Sequence, residues 1–74
     1  MNDQIKTYHH WVEWSEEDGC FIGRCPDLFG GGCHGDQPVR VYEELVELMN
    51  EVAKDYADGG KKLPAATYHP QTAA

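Results

Sequence analysis

Residues 20–49 read CFIGRCPDLFGGGCHGDQPVRVYEELVELM, and inside them the hydrophobic period changes once. Up to Cys25 the residues alternate as a strand presents them, with Phe21, Gly23 and Cys25 on one face and Cys20, Ile22 and Arg24 on the other. Pro26 has no N–H to give to a ladder, so the strand ends there. Residues 27–30 turn the chain, and 31–35 is long enough for one more brief strand. Beyond that point Val41, Leu45, Leu48, Val52 and Tyr56 recur at steps of three and four, and Tyr42, Val46, Met49 and Ala53 widen the stripe. Glu43, Glu44, Glu47, Glu51, Lys54, Asp55 and Asp58 take the opposite side. The pattern predicts an amphipathic helix over 38–57, with Pro38 in the first helical position, Asp36 or Gln37 as the cap, and Gly59-Gly60 as the stop.

Upstream, residues 7–14 (TYHHWVEW) are aromatic and β-type, and they predict the first strand. Tyr8, His10, Val12 and Trp14 share one of its faces, and His9, Trp11 and Glu13 the other. The run SEEDG at 15–19 is a hairpin turn, Asp18-Gly19 being its strongest signal. Downstream, KKLPAATYHPQTAA holds at most a short fourth strand around 66–69. The fold class is therefore α+β: a three-stranded antiparallel sheet with one amphipathic helix on one face. The chain is one domain over 1–74, with a core of about 7–64 and a tail over 65–74. The second sheet face has large side chains and no element to cover it, which marks it as an interaction surface. At 74 residues the chain gains from association, so a homodimer is expected.

The net charge is -7, with 13 acids against 6 bases. A nucleic-acid backbone calls for clustered Lys and Arg, so direct DNA binding is not expected. The sign suits a basic partner, and it also keeps a small protein soluble. Three cysteines, with no CxxC pair, point to a reducing compartment rather than a secreted disulfide scaffold. No stretch has the length of a signal-peptide core or a membrane span, so a cytoplasmic protein is expected.

Pro26, Asp27, Leu28 and Gly30 after a strand, Gly35 before a helix, and Gly60, Leu63 and Pro64 after it form a spaced set. In this set the chain resembles the HicB family, antitoxins of bacterial toxin–antitoxin pairs, over residues 8–64. Phe29 stands where the family often has Pro, Gly31 where it often has Cys, and Gln37 in place of the usual Thr cap. The resemblance implies a truncated ribonuclease H-like arrangement, β-β-β-α-β. It also implies a partner, a small basic HicA-like toxin that cleaves mRNA, neutralised when the antitoxin covers its active site. The family's DNA-binding module has no counterpart in these residues, which correspond to its N-terminal domain.

The chemistry-bearing residues carry no reaction centre by themselves. His9, His10, Cys20, Cys25, Cys33 and His34 lack the close ligand pairs of a zinc site, and strand neighbours such as Cys33 and His34 point to opposite faces. That same divergence separates a thiol from its base, and the cysteines read as small strand residues. Asp36 at the helix start repels phosphate. Only Glu13 and Asp27 are placed even roughly for two-metal cleavage, which needs several converging carboxylates. No enzyme activity, cofactor or metal is expected. Candidate partner contacts are Tyr8, Trp11 and Trp14 as aromatic anchors, Asp27, and the helix acids Glu43, Glu44, Glu47 and Glu51. Asp27 also suits a turn cap, a plain solvated face suits the helix acids, and at least one tryptophan is expected in the core. Two other readings stay open: a HicB-like regulatory or ligand-binding module with no toxin, and a small Cys/His metal-dependent enzyme.

Overall fold

The computed structural model describes residues 4–68. Strands β1 (Trp11–Ser15) and β2 (Cys20–Arg24) pair antiparallel, with Trp11 opposite Arg24 and Ser15 opposite Cys20. The Gly19 N–H donates to the Ser15 carbonyl at 2.8 Å and closes the hairpin where the DG signal placed it. Strand β3 (Gly32–Gly35) pairs antiparallel with β2 on its other side, giving the sheet order β1-β2-β3. Helix α1 (Pro38–Asp58) lies on one face, chiefly over β2 and β3. The α+β class and the open three-stranded sheet are as expected.

The turn after β2 follows from Pro26. The N–H groups of Leu28 and Phe29 both donate to the Cys25 carbonyl at 3.1 Å, so the chain folds back at once. Leu28 and Phe29 are thereby laid against the core, which contains Ile5, Tyr8, Cys25, Leu45, Met49 and Ala53, with Cys33 and Leu63 packed beside it. Val41, Leu45, Met49 and Ala53 are the buried positions of α1, one residue in every turn. Leu48, Val52 and Tyr56 are half-buried on the flank of that row.

Gly23 sets how closely α1 approaches. A Cβ there would stand 2.9 Å from Cys33 Sγ and 3.2 Å from Leu45 Cβ, so the missing side chain lets helix and sheet meet. At the far end of α1, Gly60 takes φ +68; its N–H donates to Ala57 O at 3.1 Å and that of Lys61 to Tyr56 O at 2.9 Å. These two bonds are a Schellman stop, and Gly tolerates the left-handed angle it requires. Gln37 is the N-cap residue and gives no side-chain hydrogen bond, so Pro38 and backbone geometry start the helix.

Two elements differ from expectation. The first strand begins at Trp11 rather than at residue 7, because Thr7 and Tyr8 donate backward to Gln4 O and Ile5 O and close a 3-10 turn over Ile5–Thr7. Ile5 is fully buried, so the core begins upstream of residue 7. No fourth strand forms among the described residues; 66–68 has no ladder partner and is held by a side chain instead. His69 lies outside the described residues.

Candidate recognition surfaces

The face of the sheet away from α1 carries Trp11 and Glu13 from β1, Cys20, Ile22 and Arg24 from β2, and His34 from β3. Glu13 organises its centre. Its Oε1 accepts the Arg24 Nε–H at 2.5 Å and the Trp11 indole N–H at 3.2 Å. Both ionic partners are well exposed, so this bond orients Arg24 more than it stabilises the domain. Beside it lies a cavity of about 490 Å³ lined by Cys20, Ile22, Arg24 and His34. At the edge of the same face Trp11, His9 and Tyr68 stack together, their ring centroids 4.8 to 5.6 Å apart.

Tyr8 does not stand on a surface. It is 2 % exposed, its hydroxyl donates to the Pro64 carbonyl, and burial raises its pKa above the ordinary 10.0. A partner therefore has no access to it, which removes one of the three aromatic anchors. The reason is the 3-10 turn, which swings Tyr8 under the helix instead of along a strand. The two tryptophans show the reverse outcome: neither is in the core. Trp11 is half-buried on the open face, and Trp14 is 51 % exposed on the helix side of β1, edge-on to Phe21 at 5.1 Å. Because α1 sits over β2 and β3, it leaves Trp14 uncovered.

Asp27 is engaged within the chain. Its carboxylate accepts the Thr67 hydroxyl at 2.9 Å and the N–H groups of Thr67 and Tyr68 at 3.1 Å each. It holds residues 67 and 68 against the turn after β2, a long-range role. Nothing in the local sequence pattern signals a contact across 40 residues.

Glu43, Glu44, Glu47 and Glu51 are all exposed along the outer side of α1, and none pairs with a cation among the described residues. With Asp55 and Asp58 they make six acids against Arg40 and Lys54 on the helix. The candidate contacts are thus divided over three places: Trp11 on the open face, Trp14 beside the helix, and the acids on the far side of α1.

The Cys/His set does not converge. Cys33 faces α1, where its thiol donates to the Val41 carbonyl at 3.3 Å, while His34 looks out from the open face. Burial pushes the Cys25 and Cys33 thiols above the ordinary 9.0, which opposes the thiolate that nucleophilic or metal chemistry needs. Among the described residues no three His, Cys, Asp or Glu side chains are grouped to hold a metal ion, and no helix is long and apolar enough to cross a membrane. Comparison with protein-family models, curated proteins and solved structures finds no match to this chain.

Proposed function

We propose that this chain is an antitoxin of HicB type, a recognition protein without chemistry of its own. It binds a small basic HicA-like toxin and covers the toxin's mRNA-cleaving site. The observation that carries the reading is the outer side of α1, where four exposed glutamates stand together and none forms an ion pair with a described residue. A protein that grips RNA is positively charged, and an unpaired acidic helix attracts it and orients it on approach. The element order β-β-β-α agrees with the first part of the ribonuclease H-like arrangement that the resemblance implies, and Asp27 in the Pro-Asp-Leu frame ties residues 67 and 68 to the turn after β2. On this reading the chain acts in the cytoplasm, where the toxin meets mRNA, and leaves DNA binding to other chains.

The test is co-expression of the chain with a small basic RNA-cleaving toxin encoded beside it. Growth should be rescued by the native chain and lost when Glu43, Glu44, Glu47 and Glu51 are all changed to Lys, with the far-ultraviolet circular dichroism unchanged. Rescue that survives the fourfold change would place recognition elsewhere, and no rescue by the native chain would remove the antitoxin reading. A second reading has one observation in its favour. The cavity beside Arg24 and His34 suits a ligand-binding module with no toxin, and a ligand-induced rise in melting temperature that Arg24→Ala abolishes would favour it.

A further inference from the structure

Arg24 is the single Lys or Arg on the three strands, and it stands on the face of the sheet that α1 leaves open. Its guanidinium is already aimed. Glu13 Oε1 accepts the Arg24 Nε–H and also the Trp11 indole N–H, so the carboxylate that orients Arg24 is itself held from a second side. A guanidinium carries five N–H donors, and those on the two Nη groups of Arg24 have no partner among the described residues. These groups form the planar fork that fits the two oxygens of a carboxylate.

The cavity beside Arg24, about 490 Å³, supplies the rest of a site, and its volume is that of a small-molecule pocket. Arg24 lines one end, and Asp18 and Cys20 line the other, the length of β2 or about 13 Å away. Ile22 lies between them as a half-buried apolar floor. His34 stands opposite Ile22 on β3, exposed and without a partner among the described residues, so a ring N–H can meet the same anion as Arg24. At the far end the exposed Asp18 carboxylate accepts the Ser15 hydroxyl at 3.2 Å and would repel a second anionic group.

We propose that this cavity binds a small organic monocarboxylate, its carboxylate on Arg24 and His34 and its uncharged body over Ile22 toward Cys20. One anionic end matches the one oriented guanidinium, and an apolar body matches Ile22. A multiply charged anion without such a body matches neither, and it meets Asp18 and a chain at net charge -7. The proposal rests on the second reading above, for which it names the chemistry of the ligand, and not on the toxin reading.

Titration of the isotope-labelled chain with hexanoate tests it, followed by amide and indole NMR resonances at neutral pH and constant ionic strength. Saturable shifts should appear over residues 20–24 and 32–34. The Trp11 indole N–H, which shares Glu13 with Arg24, should move as well, while the Trp14 indole on the helix side stays in place. Hexanamide keeps the body but not the charge, and inorganic phosphate keeps charge but not the body; each should bind at least about tenfold more weakly than hexanoate. Arg24→Gln should abolish binding, and Arg24→Lys, which keeps the charge without the fork, should weaken it about tenfold. His34→Ala, at an exposed position, should weaken it severalfold, and the spectrum of each variant reports its folding. Absence of saturable shifts overturns the proposal, as do shifts centred on α1 or the Trp14 indole, a hexanamide response equal to that of hexanoate, or binding that survives Arg24→Gln. Phosphate that binds as tightly as hexanoate also overturns it, while leaving the broader reading of a ligand-binding module in place.

Discussion

Thr67 and Asp27 are joined twice, by the Thr67 hydroxyl on Oδ1 at 2.9 Å and the Thr67 N–H on Oδ2 at 3.1 Å. Together with the Tyr68 N–H on the same oxygen, these bonds tie the segment beyond the helix to the turn that ends β2. Asp27→Ala should therefore cost about 1–3 kcal/mol, the range for charge-assisted hydrogen bonds. Denaturant unfolding measures it, and limited proteolysis should show faster cleavage after Pro64. Asp27→Asn keeps one acceptor oxygen and should fall between.

Gly23→Ala forces a methyl group into the 2.9 Å and 3.2 Å contacts with Cys33 and Leu45. Overpacking of this kind costs about 1–3 kcal/mol. Cys33→Ala in the same chain removes the nearer atom and should recover part of the loss, leaving the contact with Leu45 Cβ. A double-mutant cycle reads the coupling, and simple additivity of the two losses would contradict it.

Asp55 and Asp58 lie at the carboxyl end of α1, where the helix dipole is negative and the last turn holds no base. Asp58→Lys should raise stability by about 0.3–1 kcal/mol at low ionic strength, with the gain shrinking as salt is added. Thermal melts at two salt concentrations decide it. The native sequence sets acids against the dipole here.

The folded chain holds the protons of Cys25 and Cys33 above pH 9.0, because burial raises both thiols, whereas the unfolded chain releases them. The contribution of these groups is thus complete below pH 9.0 and declines as pH rises from there through the raised values. Urea midpoints measured upward from pH 8 should fall, and fall less in Cys25→Ala, after allowance for its lower starting stability. Alkylation at pH 8 should reach Cys25 last, since it is wholly buried.

Much of this architecture was legible in residue order. The alternation in CFIGRC assigned both faces of β2 correctly, and the stop read from Pro26 overran the strand by one residue, since β2 ends at Arg24. The stripe from Val41 onward delimited α1 to within one residue, and Gly59-Gly60 supplied its stop. Those readings succeed because strand and helix periods, prolines and glycines act over a few neighbouring residues. Tyr8 was misplaced because TYHHWVEW has the composition of a strand throughout, while a competing 3-10 turn takes its first residue into Ile5–Thr7 and leaves Tyr8 as its C-cap.

The candidate contacts depended on something else. No periodicity says that α1 lies over β2 and β3 and leaves Trp14 bare; Gly23 and the side chains it admits decide that. Nor does any local pattern say that Asp27 will be occupied by residues 67 and 68, or that Tyr68 will stack on Trp11. By itself the sequence determined the elements, their order and the faces they present, because these follow from backbone geometry repeated along the chain. Only the tertiary structure decided which of those faces remain free, because that depends on contacts between residues far apart in sequence, formed when the helix settles on the sheet.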